Sequence, residues 1–371
     1  MVSLLIMQRR FRNLSIQKVA FALVIIVVAF NEFLVYSFQT FRWTRISKDR
    51  APTEEMVVLF ASDPQLIGVQ DELGFPIGSI ARWDSDRYLQ KTFSRAYAHT
   101  QPDVIVFLGD IMDEGSKATE AEYQSYLQRF HSIFPETKIT KTVIIPGDND
   151  IGGEGRDFRT PFKVDRFEKH FENLTGVVKH GFIDFMKLDI RLNVDKVLET
   201  KRLISNLAPK LKEPLRIIIN HETVMSKMKG TIYPILRMAQ PNILFTGHWH
   251  VSEMFECGTC LSENEDIDHW PYNLRGLKNI KDFIEVDLTN LIGVNEILVP
   301  TCSYRMGEPN MGYGVAHIER SGRLRYTVLW LPARYTLLYI YVVALVIVSV
   351  LLLVSFVTAP RSKVRPPSSY R

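Results

Sequence analysis

Five short apolar runs in this chain each give way to an acid or a histidine. Residues 56–61 (MVVLFA) lead through Ser62 into Asp63-Pro64-Gln65, and 104–108 (VIVFL) into Gly109-Asp110-Ile111-Met112-Asp113-Glu114-Gly115. Residues 142–145 (TVII) lead into Pro146-Gly147-Asp148-Asn149-Asp150, 216–219 (RIII) into Asn220-His221-Glu222, and 242–245 (NILF) into Thr246-Gly247-His248-Trp249-His250. Sheets of α/β proteins bind ligands in the crevice at the carboxyl ends of their strands. The five runs would therefore bring carboxylates and imidazoles together. The glycines fit this, because backbone without Cβ turns sharply and brings the next side chain close to a ligand. In His248-Trp249-His250 an extended backbone lets both imidazoles face one way.

Crowded carboxylates repel and shift one another's pKa, and divalent cations remove the conflict. Mixed carboxylate and imidazole donors suit manganese, iron or zinc. The donors are too many for one tetrahedral ion. Two ions sharing a carboxylate, about 3.5–4 Å apart, fit better. Taken singly, Asp110 reads as a helix cap, His221 as a satisfied core histidine and Asp63-Pro64 as a turn. Five coincidences of position and residue type do not read that way. Asp148-Asn149-Asp150 likewise exceeds the needs of a turn behind a buried strand.

The elements that must position these groups alternate early in the chain. Helices are predicted over about 85–99, 119–134, 162–172, 195–208 and 231–240, between the five runs. Later strands are predicted at 283–286, 296–299, 313–318 and 326–330, joined by short turns. Early strands separated by helices indicate an α/β fold. The later strands suggest a second sheet packed on the first. A formal charge of +4 over 371 residues argues against a nucleic-acid partner.

Two apolar stretches flank this region. Residues 335–358 hold no charge and are long enough to cross about 30 Å of hydrocarbon as a helix. Tyr335, Tyr339 and Tyr341 sit at one end, where an aromatic belt belongs. Residues 19–38 follow Arg9, Arg10, Arg12 and Lys18 and read as a retained signal anchor, with Glu32 near its far interface. Both termini then share one side of the membrane. Basic residues flank both spans on both sides and do not orient them. The sequon Asn173-Leu174-Thr175 favours a lumenal middle segment, although Asn13-Leu14-Ser15 forms another on the opposite side. The expected organisation is a cytosolic start (1–18), a span (19–38), a stalk (39–55), a lumenal domain (56–334), a span (335–358) and a cytosolic basic tail (359–371). Three cysteines make no disulfide framework. Cys257 and Cys260 read as a local disulfide or as two buried thiols, and a structural zinc site is disfavoured without a second pair.

The order D…GDxxDxG…G(D/N)xD…H…GHxH over roughly residues 55–320 resembles the calcineurin-like metallophosphoesterases. The flanking spans, Asp63-Pro64-Gln65-Leu66 and Gly109-Asp110-x-x-Asp113-Glu114-Gly115 are similar to the branch that remodels GPI anchors after their attachment, in animals and fungi. The resemblance implies two mixed β-sheets packed as a sandwich flanked by helices, with one transmembrane helix at each end. It implies two divalent metal ions, manganese by preference. Asp63, Asp110 and His250 would hold one ion, and Asp110 would bridge to a second held by Asp148, His221 and His248. The implied reaction removes ethanolamine phosphate from a mannose of the GPI glycan in the endoplasmic reticulum, its exit sites or the Golgi. The implied partners are GPI-anchored proteins and their cargo receptors.

The sequence departs from that pattern twice. Gln65 stands where the first motif usually has histidine. Asp148 and Asn149 stand where the family usually has Asn and its catalytic His. Asp148 adds charge to a ligand position. Asn149 donates a hydrogen bond but no proton, and a general acid is typically worth about 10²–10⁴-fold. His180 and His269 are candidate substitutes. Asn149 also motivates a rival reading, a catalytically weakened binding module for GPI glycan or cargo. A third reading is a phosphatase for another lipid or nucleotide, since fold does not fix substrate.

Overall fold

The computed structural model describes residues 2–46, 53–190, 194–226, 229–262, 272–277, 283–290 and 292–358. His269 and the basic tail lie outside them. The helices are α1 (Val2–Ala29), α2 (Val35–Phe41), α3 (Ile77–Thr100), α4 (Glu120–Ile133), α5 (Asp148–Ile151), α6 (Pro161–Phe171), α7 (Val194–Leu207), α8 (Lys229–Ala239) and α9 (Arg334–Thr358). The strands are β1 (Glu55–Ala61), β2 (Val104–Phe107), β3 (Lys141–Ile144), β4 (Gly176–His180), β5 (Ile183–Lys187), β6 (Leu215–Ile219), β7 (Ile243–Thr246), β8 (Glu253–Cys257), β9 (Tyr272–Gly276), β10 (Ile284–Asp287), β11 (Val294–Leu298), β12 (Gly312–Glu319) and β13 (Arg323–Trp330).

Residues 39–332 form one compact unit. Among the described residues it holds two mixed sheets, β10-β13-β12-β1-β2-β3 and β4-β5-β6-β7-β11-β8-β9. β1 is buried along its whole length, as expected of a strand covered on both faces. It runs parallel to β2 and antiparallel to β12. Apolar side chains of both sheets make the central core, including Val58, Phe60 and Val106 from the first and Phe185, Ile217 and Phe245 from the second. Phe60 stacks on Phe245 with ring centroids 4.1 Å apart. Each lies one residue before its strand ends, so the carboxyl ends of β1 and β7 face each other.

Helices cover the outer faces. α4 starts at a capping box: the Glu122 amide donates to Thr119 Oγ1 (3.4 Å) and the Thr119 amide to Glu122 Oε2 (2.8 Å). Its apolar stripe Tyr123, Tyr126, Leu127, Phe130 and Ile133 is buried, and Phe130 and Phe93 of α3 meet Phe107 of β2. On the other sheet, Ile204 and Leu207 of α7 and Ile235 and Leu236 of α8 pack over Ile218 and Leu244.

The expected grouping of strands needs correction. The late strands do not form the second sheet. β10, β12 and β13 extend the first sheet, β11 inserts beside β7, and β6 and β7 leave β1–β3 for the second sheet. Pairing between distant segments decides this, and local pattern does not encode it. The hairpin β4–β5, turning through Gly181 and Phe182, and strands β8 and β9 are additional. Their sequences (GVVKH, IDFMK, EMFEC, YNLRG) carry charged or small residues that dilute a strand pattern.

The remaining unit comprises residues 1–38 and 333–371. Two of its helices are long and apolar enough to cross a membrane, Ser15–Phe41 and Arg334–Thr358. Exposed apolar side chains such as Phe21, Ile26, Leu345, Leu353 and Phe356 line them, which suits a lipid-facing surface. A π-helical turn, Phe30–Leu34, interrupts the first. It turns Asn31 and Glu32 inward. Asn31 Nδ2 donates to the Leu337 carbonyl (2.8 Å), and Glu32 Oε1 accepts from Arg334 (3.3 Å) and from the Tyr341 hydroxyl (2.9 Å). Glu32 thus carries a buried charge with a buried cation beside it, which offsets the desolvation cost of each.

Candidate metal centre

The loops after β1, β2, β3, β6 and β7 converge at the facing strand ends. Five residues of these loops, Asp63, Gln65, Asp110, His248 and His250, adopt positive φ between 43° and 66°. Non-glycine residues rarely do so, and such strain clusters at functional sites. Two glycines permit the approach of loop to loop. A Cβ on Gly147 would lie 1.9 Å from Asp110 Oδ1, and one on Gly247 would lie 2.2 Å from Ser62 Oγ.

One ligating atom from each of Asp110, Asp148, His221 and His248 falls within 4.8 Å of the others. His221 Nε2 and His248 Nδ1 each stand 3.2 Å from Asp148 Oδ1 and 3.2 Å from each other. His221 Nδ1 donates to the Leu108 carbonyl (2.7 Å), which leaves Nε2 as the acceptor face. Such a hydrogen bond orients a metal-ligating imidazole. A second group adjoins it. His250 Nε2 lies 3.4 Å from Asp63 Oδ1, and Gln65 Nε2 donates to Asp110 Oδ2 (3.3 Å). Asp63 is fully buried, and its Oδ1 has no hydrogen-bond donor. A buried carboxylate oxygen without a donor and two facing imidazole nitrogens fit cations, and two sets that meet at Asp110 fit a binuclear centre.

The electrostatics point the same way. Burial works against ionisation of Asp148 and Asp63. For Asp148 the hydrogen bonds from His221 and His248 prevail, and for Asp63 the adjacent His250 imidazole and the His221 charge, so both titrate below the usual carboxylate range. Burial raises Asp110 well above its ordinary value, and Asp148 and Asp63 add to the effect. His221 is pushed up to about 10: burial opposes its charge, but Asp110, Asp148 and Asp63 outweigh burial. Without metal, an imidazolium thus neutralises the cluster. Its folded pKa exceeds the unfolded value of about 6.5, so its stabilisation is complete below that pH and is lost as pH rises through about 10. A divalent cation neutralises the cluster without a proton. Manganese should therefore raise the melting temperature over chelator-treated protein more at alkaline than at mildly acidic pH. Thermal melts at both pH values test this, and an equal increment would count against it.

All six expected ligand residues lie in this crevice. Asn149, at the position of the family's histidine, donates from its amide to Asp110 Oδ1 (3.0 Å) and from its side chain to Asp110 Oδ2 (3.2 Å). Gln65 reaches the same carboxylate. Asp150 lies off the centre and ties the loops, accepting from the amides of Ile111 (3.1 Å), Met112 (2.9 Å) and Gly147 (2.9 Å). Burial pushes Asp150 up to about 6 against those hydrogen bonds. His180 pairs with Ile183 at the start of β5, which is parallel to β6. It therefore lies at the sheet edge opposite His221 and is no proton donor for this site. Cys257 and Cys260 form a disulfide, and Cys302 is a buried free thiol.

Sequence reasoning missed Glu154 and the outer supports. A hydrogen bond with Asp148 raises the Glu154 carboxyl, which sits exposed on the Gly152–Gly155 loop at the mouth. The GGEG run one residue after Asp148-Asn149-Asp150 was the available signal. Thr301 Oγ1 donates to the Asp63 carbonyl (2.9 Å), a contact across 238 residues that no local pattern announces.

Residues 56–252 match the family of calcineurin-like phosphoesterases. The chain is 30% identical over 159 residues to Metallophosphoesterase 1 of Gallus gallus, covering 40% of this chain and 38% of that protein. It is 32% identical over 183 residues to Metallophosphoesterase 1 of Pongo abelii, covering 47% and 44%. It is 27% identical over 233 residues to Cell division control protein 1 of Saccharomyces cerevisiae, covering 52% and 46%. The matched stretch thus spans less than half the length of each relative.

Proposed function

Because this chain belongs to the calcineurin-like phosphoesterases, we propose that it is a membrane-anchored binuclear phosphodiesterase that removes ethanolamine phosphate from a mannose of the GPI glycan. One observation carries the reading. Six ligand-type side chains from five strand ends meet in one crevice, in two sets about Asp110. The resemblance to GPI-remodelling phosphoesterases and the two apolar helices flanking the catalytic unit support the choice of substrate.

Asp63, Asp110 and His250 hold one ion in this proposal, with Asp110 shared, and Asp148, His221 and His248 hold the second. When bound, two divalent cations, manganese in this proposal, supply a nucleophile at neutral pH and a charge clamp for the phosphoryl oxygens. The Leu108 carbonyl holds the His221 ring. Asn149 and Gln65 orient Asp110 through hydrogen bonds. Asp63, Asp110, Asp148 and His221 are buried, which strengthens the charge interactions among them.

The test is ethanolamine phosphate release from a GPI glycan by the purified full chain with manganese, read by mass spectrometry. Release that vanishes in Asp110→Ala supports the proposal. No release by protein that binds both metals would favour a binding module or another substrate, and a panel of phosphomonoesters and phosphodiesters would separate those two.

The same proposal puts residues 56–334 in the lumen of the early secretory pathway, between spans at 19–38 and 335–358, with both termini cytosolic. Asn173 is exposed. It should therefore carry an endoglycosidase-sensitive glycan in membrane-derived protein. An unmodified Asn173 together with terminal tags exposed to the lumen would reverse the orientation.

A further inference from the structure

The metal centre opens on the sheet edge from which the chain leaves for its apolar helices. β13 is antiparallel to β12, and β12 is antiparallel to β1. β13 therefore ends, at Trp330, on the same edge as the carboxyl end of β1, which carries Asp63. Four residues later α9 begins at Arg334. The other exit reaches this edge too, since Gln39 Nε2 and Trp43 Nε1 both donate to the Trp330 carbonyl (2.8 Å each).

α3 runs past both exits. Its Tyr88 hydroxyl donates to the Pro332 carbonyl (2.9 Å), and its His99 Nε2 lies 2.9 Å from the Thr44 carbonyl. These two points are about 16 Å apart along the helix, and each touches chain within a few residues of an apolar helix. α3 leads from the carboxyl end of β1 to the start of β2, so its amino-terminal end lies at the edge that carries Asp63, beside the Pro332 exit. Its amino-terminal extension carries an apolar stripe that none of the described residues of the catalytic unit covers. Phe75 is 91% exposed, Leu73 66%, and Ile80 and Trp83 59% each, with Ile77 between them. The Arg87 guanidinium stands over the Trp83 ring (5.4 Å). An exposed Trp/Phe/Ile/Leu face edged by arginine is the composition of helices that lie in a membrane interface.

We infer that residues 73–83 dock on the lipid bilayer and hold the mouth of the metal centre against the membrane surface, where a lipid-anchored phosphodiester is presented. The inference rests on reading Ser15–Phe41 and Arg334–Thr358 as spans. The docking face is tied to the site. Tyr304, three residues after Thr301, donates to Asp84 Oδ2 (2.9 Å) and packs edge-on against Tyr88 (5.2 Å), while Thr301 holds the Asp63 carbonyl. Contact with lipid at 73–83 therefore fixes the orientation of the metal loops.

The experiment uses the full chain in phosphatidylcholine nanodiscs with one added cysteine at a time, Phe75→Cys, Ile80→Cys, Arg323→Cys or Leu345→Cys, each spin-labelled. Cys257 and Cys260 are paired and Cys302 is buried, so the added thiol is labelled selectively. All four positions are exposed, so the variants should fold. Arg323 begins β13, at the end remote from Trp330. Labels at 75 and 80 should relax more with oxygen than with a water-soluble nickel chelate, and the label at 323 should do the reverse. Equal chelate access at 75, 80 and 323 would overturn the inference. Shielding of 75 and 80 from both reagents would overturn it in favour of a second copy of the chain. The label at 345 keeps the two readings apart: chelate access there defeats the spans, whereas lipid at 345 with water at 75 and 80 defeats the docking alone.

Discussion

Asp110→Ala is expected to abolish phosphodiester hydrolysis and to reduce the metal bound per chain. Asp110 is the carboxylate that the proposed assignment shares between the two ions. Its Oδ2 accepts from Gln65 (3.3 Å) and Asn149 (3.2 Å), and its Oδ1 stands 3.6 Å from His221. Losing it should uncouple the ions. Metal ions supply several kcal/mol of charge stabilisation, and a decade of rate is about 1.36 kcal/mol. The expected loss is therefore more than about three decades. Folding should survive. Burial and the neighbours Asp148 and Asp63 hold Asp110 well above its usual pKa, so removing it relieves crowding in the metal-free protein. The melting temperature in chelator should be equal or higher, while the increment from manganese shrinks. Activity within about tenfold of the parent, or an unchanged metal content, would show that Asp110 is not the shared ligand.

Asn149→His is expected to raise the rate, and most for substrates with alkyl leaving groups. The side chain at 149 already points at the centre, 3.2 Å from Asp110 Oδ2. An imidazole there would stand where a leaving oxygen collects its proton. General acid catalysis is worth about 10²–10⁴-fold, and its value grows with the basicity of the leaving group. A mannose or ethanolamine alkoxide should thus gain at least about tenfold, whereas nitrophenolate, which departs without a proton, should gain little. The readout is the ratio of kcat on an alkyl phosphodiester to kcat on a nitrophenyl one, at matched metal occupancy. A fall on both substrates would mean that the native amide orients Asp110 and that the site is tuned around it. Asn149→Ala, which removes the side-chain hydrogen bond but leaves the backbone one, isolates that contribution.

The candidate site was legible from the sequence because each proposed ligand follows closely on its strand. A run of apolar residues ending in Gly-Asp or Gly-His-Trp-His states both the element and the group it delivers. Asp63, Asp110, Asp148, His221, His248 and His250 could be named for that reason. The apolar helices were legible too, since length and lack of charge are local properties. The partition of strands was not. β6 and β7 resemble β1–β3 in composition, yet they form another sheet, and β12 closes on β1 from some 250 residues away. Long-range pairing is chosen by the total burial of two sheets against each other, and no window of sequence contains that sum.

The sequence by itself determined which residues are candidate metal ligands and in what order they come, because these follow from side-chain chemistry and spacing, and the family resemblance marked Asn149 as standing where a histidine is usual. Only the tertiary structure decided which atoms of those residues face each other, that Asn149 and Gln65 both turn onto Asp110, and that Glu154 joins the mouth. It also decided that the centre opens on the edge where β13 leaves for α9. Distances of 3 Å between residues 100 or more positions apart arise from the packing of the whole fold, and that packing sets the electrostatics of the site.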